Sequence, residues 1–225
     1  MGKLITFEGL DASGKSTQIT LLLKALAIRN IKHNCIRFPR TAVRGYGEAI
    51  AMFLRGEFGA VADVSPYLIA ALFAADREAA KAEIAHMLQS SDIVIADRYA
   101  YSNFAFQAAK IVSPRDKRYF LNWIRHLEFE VNCIPRPNLS VFFDAPVDFV
   151  TRNLARRSSG DQRSYLKGQP DIHEQALDLQ KKVADEYRAL SASDPDFVTI
   201  SVGDNRRPKK IHDDIVELLE RRGML

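Results

Sequence analysis

Apolar and polar positions follow two rhythms along this chain, and they take turns. Compact apolar runs stand at Leu4–Phe7, Asn34–Phe38, Ser91–Arg98, Leu139–Asp144 and Phe197–Val202. Short runs of this kind, bounded by turn residues, read as strands, with the one over 91–98 buried on both faces and the one over 139–144 also buried. Between them the apolar residues recur at helical spacing. Thr17, Leu21, Leu22, Ala25 and Leu26 form one face of a helix predicted over 16–29, with Asn30 as its stop. A short helix over 44–56 is interrupted early by Gly45 and Gly47. Ser65-Pro66 opens a single long helix to about Gln89, with Leu68, Leu72, Ala75, Ala79 and Leu88 facing the core.

Helices are also predicted over 99–110 and from Pro114 to about Glu128, followed by an irregular, proline-rich connection. Pro146 starts another that ends near Arg157. Residues 158–169 are polar and basic and contain glycine, which reads as a mobile loop. A long polar helix over Pro170–Leu190 follows, and a closing helix begins at Arg207 or Pro208, with Ile211, Ile215, Leu218 and Leu219 as its stripe. Strands alternating with helices predict an α/β fold: a parallel sheet covered on both faces.

At 225 residues the chain is expected to be one domain over 1–225. No apolar run approaches the roughly 18 residues of a membrane span. The first strand is predicted to begin within three residues of the start, so no signal or transit peptide is expected. Cys35 and Cys133 stand apart with no C-x-x-C, which suits a reducing, cytoplasmic setting. A net charge of +4 suits either nucleic acid or polyphosphate. The basic residues gather at Arg152–Lys167 and Arg206–Lys210.

The candidate chemistry starts where the first strand ends. Gly9, Leu10, Asp11, Ala12, Ser13, Gly14, Lys15, Ser16 and Thr17 spell G-x-x-x-x-G-K-S between a strand and a helix. Such a loop wraps phosphates with backbone N–H groups, aided by the positive end of the following helix. Lys15 would bridge the β- and γ-phosphates, and the Ser16 hydroxyl would ligate Mg²⁺. Asp97, at the carboxyl end of the third strand, would hold Mg²⁺ or its waters, or cap the next helix. These features predict an ATP-type site but not its use.

The guanine-reading N-K-x-D is absent, which argues against a GTPase. The arginines say more. Arg40, Arg77 and Arg98 stand at strand ends and on a helix, and Arg152, Arg156, Arg157 and Arg163 fall in a lid-like stretch over about 152–169. Guanidinium forks beside a phosphate loop imply a second phosphate held in line with the first. A closing, arginine-bearing lid would exclude water and bring positive charge to the transferring group.

The segments FEGLDASGKST, FPR at 38–40, LFAADRE at 72–78 and DRYAYSNFAFQAAK at 97–110 resemble the thymidylate kinase family in order and spacing. The resemblance covers nearly the whole chain. It implies a five-stranded P-loop fold with a mobile lid, transfer of the ATP γ-phosphoryl group to dTMP with Mg²⁺, and a homodimer packed through long helices. It implies neither a nucleic-acid nor a membrane partner. By resemblance Phe73 stacks on thymine and Arg77 hydrogen-bonds O4. Asn103 reads the N3 edge, with Ser102 and Gln107 assisting. Phe106 lies beneath the sugar, and Asp11 approaches the 3′-hydroxyl. Arg40 and Arg98 clamp the acceptor phosphate beside Phe38, and Tyr165 sits near the nucleotide after the lid. The family's loop arginine is Ala12 here, so transition-state charge is expected from Arg156, Arg157 or Arg163. Two other readings compete: another pyrimidine nucleotide or deoxynucleoside kinase, and a nucleic-acid-binding protein using Arg206–Lys210.

Overall fold

The computed structural model describes residues 1–156, 164–169 and 171–225. Five strands form one parallel sheet: β1 (Lys3–Gly9), β2 (His33–Arg37), β3 (Ile93–Asp97), β4 (Leu139–Asp144) and β5 (Phe197–Ser201). Their order is β2-β3-β1-β4-β5, so β1 lies in the middle. Its neighbours register as Phe7 against Asp97 and Gly9 against Phe143. Every residue of β3 is buried, as expected for a strand with helices on both faces.

The helices over the described residues are α1 (Lys15–Ile28), α2 (Tyr46–Leu54), α3 (Pro66–Ala79), α4 (Lys81–Ser90), α5 (Ala100–Ala108), α6 (Pro114–His126), α7 (Val147–Arg156), α8 (Ile172–Gln175), α9 (Leu177–Ala192) and α10 (Pro208–Arg221). A π-helical turn over Leu127–Val131 follows α6, and a 3-10 turn covers Ser164–Leu166. One core spans the sheet and most helices. A smaller cluster of Ile50, Phe53, Leu54, Ile69 and Leu166 joins α2 and α3 to the 3-10 turn.

Three expectations need correcting. The helix expected over 65–89 is two, α3 and α4, meeting at the buried Ala80 (φ −88°, ψ −6°). No glycine or proline marks this junction, so a periodicity scan has nothing to detect. The core stripe assigned to α3 is also rotated. Ile69, Ala70 and Ala74 are buried, while Leu68 is 70% exposed and Ala79 is exposed. Apolar residues occur on more than one face of α3, and its inward face also carries Asp76 and Arg77. The helix expected over 170–190 is likewise α8 and α9, divided at Ala176 (φ −84°, ψ 79°). The Asp171 carboxylate caps α8 by accepting from the His173 N–H at 2.8 Å.

Candidate active site

The carboxyl ends of β1, β2 and β3 open onto a cavity of about 300 Å³, closed by α3, α5 and α8. Ligands bind at this edge in open parallel sheets. The phosphate loop leaves β1 here. Gly9 has φ +135°, and a Cβ on it would lie 2.8 Å from the Phe143 carbonyl oxygen, so only glycine fits. Gly14 begins α1 in a left-handed conformation, φ +96°. The Lys15 ammonium is buried and donates to the carbonyls of Gly9 (3.1 Å) and Leu10. The Ser13 hydroxyl lies 3.4 Å away. Burial, and then the nearby Arg98 charge, lower the Lys15 pKa to about 7.

Arg98 follows β3 with φ +68°, a conformation rare for a side chain of this size and concentrated at functional sites. Its guanidinium donates to Asp11 Oδ1 at 2.9 Å and to Ser102 Oγ at 3.1 Å, and lies 5.3 Å from the Phe106 ring centroid. Burial works against its charge, but the carboxylate of Asp11 foremost outweighs it and the net pKa shift is upward. Beneath Arg98 lies Glu8, fully buried. It accepts from the Tyr99 N–H at 2.9 Å, from the Ser102 hydroxyl and from the Tyr187 hydroxyl at 3.3 Å. Desolvation raises the Glu8 pKa, with these hydrogen bonds and Arg98 opposing it. The chain Arg98–Ser102–Glu8 thus anchors a strained backbone position to the floor of the sheet.

The far wall of the cavity is built from α3 and α5. Phe73 and Arg77, one helical turn apart, both line it, as do Asn103, Phe106 and Gln107. Arg77 is 2% exposed, and its Nε lies 3.1 Å from each carboxylate oxygen of Glu128; its Nη2 also donates to Glu128. Burial alone would depress its pKa, and Glu128 more than offsets this. Asn103 donates through Nδ2 to the Ala70 carbonyl (2.9 Å) and to Glu128 Oε1 (3.0 Å), leaving its buried Oδ1 without a partner. His173 packs on Phe106 with ring centroids 5.1 Å apart, and its buried Nε2 is also unpartnered. Phe38 lines the cavity beside Tyr99.

Not every expected residue reaches this cavity. Arg40 is absent from its lining. Its Nε donates to Asp76 Oδ1 at 2.9 Å, its Nη2 to the Asp76 carbonyl at 2.7 Å, and its Nη1 to Glu83. The buried carboxylate of Asp76 on α3 thus holds the fork. Arg37, three residues earlier at the end of β2, lines the cavity and lies 3.5 Å from Asp97. Tyr165 lines the cavity, its hydroxyl 3.5 Å from Asp171 Oδ2. Arg157 and Arg163 lie outside the described residues. Arg156 ends α7 and is exposed, and Arg152 pairs with Asp204 instead. Asn153, on the Arg156 side of the helix, donates to the Ala12 carbonyl at 3.2 Å.

A second cavity of about 420 Å³ lies behind the loop, between Gly14, Thr17, Gln18, Asn153, Arg206 and Pro208. The exposed hydroxyl of Ser16 and the buried carboxylate of Asp97 are the residues that could hold a metal. Among the described residues no group of three His, Cys, Asp or Glu side chains is arranged for one. Two oxygen donors completed by phosphates and waters suit Mg²⁺, which seldom takes an all-protein cage. No helix of the described residues is long and apolar enough to cross a membrane, and Cys35 and Cys133 are free.

A family model described as Thymidylate kinase matches residues 7–215. The chain belongs to the thymidylate kinase family. The Mycobacterium tuberculosis thymidylate kinase is 30% identical over 192 residues, covering 84% of this chain and 86% of that one. The thymidylate kinase of Plasmodium falciparum is 29% identical over 216 residues, 96% of this chain and 89% of its own. The solved thymidylate kinase of Candida albicans superposes with a TM-score of 0.74 over 99% of this chain and 93% of that chain, at 24% identity, and shares the fold.

Within this thymidylate kinase frame, the sequence reading missed Glu8, Lys110, Glu128, Asp171 and His173. Glu8 had a signal: a carboxylate inside an apolar strand, one residue before the loop glycine. Glu128 had none, because it sits in a π-helical turn that extends what reads as an ordinary helix end. Asp171 and His173 fell inside a helix expected to be continuous. Burial, then the Asp11 charge, raise the Asp171 pKa to about 7. Desolvation holds His173 neutral, well below the usual histidine range.

Proposed function

We propose that the chain transfers the γ-phosphoryl group of ATP to dTMP, giving dTDP and ADP. The observation that carries this reading is the polarity of the α3–α5 wall. Asn103 Oδ1 is a buried acceptor without a partner, beside the guanidinium of Arg77. A thymine offers N3–H to the first and O4 to the second. Cytosine offers an acceptor and an amine in those places and is refused by both. Phe73 supplies the flat apolar surface for the ring.

The acceptor phosphate then falls toward Arg98, with the Asp11 carboxylate at the sugar. Arg37 takes the second clamp position in place of Arg40. Residues 9–17 hold the triphosphate of ATP, and the adenosine half occupies the second cavity beside Arg206 and Pro208. Ser16 and Asp97 would hold Mg²⁺, which would supply neutralisation of phosphate charge. The acceptor oxygen is already anionic at neutral pH, so no general base is needed. Positioning and charge supply the rate. Lys15 carries positive charge to the phosphates. Arg156, on the Asn153 side of α7, is a candidate to meet the charge on the transferring group, a role expected from the sequence for Arg157 and Arg163 as well. The protein acts as a cytoplasmic homodimer, a reading supported by Tyr67 and Leu68 exposed on α3.

The test is ADP release with Mg²⁺ and ATP against dTMP, dUMP, UMP, dCMP, AMP and thymidine. Fast turnover with dTMP, slower with dUMP and little with UMP or dCMP is expected. A preference for UMP would contradict the assignment of the acceptor pocket.

A further inference from the structure

Two side-chain amides, Asn103 and Gln107, face the base end of the cavity one helical turn apart on α5. An amide presents either an acceptor or a donor, and an unrestrained one turns over to suit whichever base arrives. Neither amide is unrestrained here. Both protons of Asn103 Nδ2 are taken by the Ala70 carbonyl and by Glu128 Oε1. Neither of those groups can donate, so Oδ1 is forced toward the ligand. Gln107 is fixed in the opposite sense. Lys110 Nζ donates to its Oε1 at 2.8 Å, and an ammonium cannot accept. The amide NH₂ of Gln107 is then what remains for the cavity.

We propose that Glu128 and Lys110 are positioning residues that lock these two amides in opposite orientations, so that the pocket presents a fixed donor–acceptor–donor pattern with Arg77. The inference rests on the reading of this cavity as the pyrimidine site. A thymine or uracil edge runs acceptor–donor–acceptor through O4, N3–H and O2, and complements that pattern at each point. A cytosine edge meets Asn103 Oδ1 with its N3 lone pair and Arg77 with an amine. With the locks in place the protein cannot turn an amide to relieve the clash. Glu128 acts twice, because the carboxylate that holds Asn103 also holds Arg77 through Nε and Nη2. That leaves Nη1 as the guanidinium nitrogen with no hydrogen bond to the described residues. Lys110 is itself held in place, its ammonium lying 4.9 Å from the Phe53 ring centroid.

The test is titration calorimetry of dTMP and dCMP against the unaltered protein and against Glu128→Gln, Lys110→Met and Lys110→Arg. In Glu128→Gln the new amide can donate as well as accept, so one of the two restraints on Asn103 is lost and the Ala70 carbonyl alone opposes its turning. The dTMP-to-dCMP affinity ratio is expected to fall roughly tenfold or more. Lys110→Met keeps the stem and removes the ammonium, and the ratio is expected to fall by about threefold to tenfold. Lys110→Arg restores a donor-only head and the ratio. A role confined to folding would lower the melting temperature and weaken both nucleotides alike. An unchanged ratio in both Glu128→Gln and Lys110→Met would overturn the locking while leaving the pyrimidine site intact. Should Glu128→Gln not fold, Lys110→Met decides alone. If the unaltered protein does not prefer dTMP to dCMP, the site reading fails and the locking falls with it.

Discussion

Arg77 and Glu128 form an ion pair that is buried on both sides, the guanidinium at 2% and the carboxylate at 0% exposure. Two charges removed from water this fully are seldom a net gain in stability. Their pairing puts a cation in the wall of the cavity, one helical turn from Phe73.

Breaking that pair should therefore separate stability from function. Arg77→Ala leaves Glu128 buried and uncompensated, which costs ~3–5 kcal/mol of stability. The double replacement Arg77→Met with Glu128→Leu should recover most of that loss. Turnover with dTMP should remain at least about tenfold down in both, because the donor to O4 is gone. Denaturant titration and steady-state kinetics on the same samples check both halves.

Lys15 lies among carbonyl oxygens with its pKa lowered to about 7, chiefly by burial. A bound triphosphate favours the charged form and raises that value. At pH 8 the neutral amine that predominates before binding should therefore take up a proton as ATP binds, approaching about one per site. Calorimetry of ATP binding in buffers of different ionisation enthalpy measures the number. Lys15→Met should abolish the uptake and lower kcat by about 100-fold or more.

Asp171 has its pKa raised to about 7, first by burial and then by Asp11. In the unfolded chain it ionises near 4, so between those values the unfolded state sheds its proton first. Its contribution is present below about pH 4 and is lost as pH rises to about 7. Asp171→Asn keeps the cap on the His173 N–H and removes the titration. The variant should melt several degrees above the unaltered protein at pH 8, and the gap should close toward pH 4. A gap that widens on acidification would contradict the burial argument.

Arg156 is expected to act on the transition state rather than on binding. Arg156→Ala, Arg157→Ala and Arg163→Ala, made singly, should include at least one that lowers kcat about 100-fold or more with KM for dTMP little changed. If all three stay within a few-fold, the charge is not supplied by the lid.

The sequence made some of this structure legible and hid the rest for physical reasons. The phosphate loop was readable because glycines 9 and 14 answer to backbone geometry, and the three central strands, β1, β3 and β4, announced themselves as buried apolar runs. Phe73 and Asn103, and the base-reading role of Arg77, were reachable only by resemblance, since an inward Phe on a helix looks like core. The pairing of Arg40 with Asp76, thirty-six residues away, is a tertiary contact that the sequence does not announce. The breaks at Ala80 and Ala176 leave no local signal, because tertiary packing makes them rather than propensity. Glu128 and Lys110 are invisible for a related reason. Their importance lies in which protons they accept or donate, and that is a property of contacts.

The most direct measurement is the transfer of labelled γ-phosphate from ATP to dTMP, dCMP and thymidine, read as kcat/KM in one assay. Transfer to dTMP is predicted, exceeding dCMP by about 10⁴-fold, the scale set when a site's buried polar groups are left unpaired. Thymidine, with no phosphate for Arg98 to hold, should be a poor acceptor. Efficient transfer to thymidine, or dCMP as the equal of dTMP, would contradict the account.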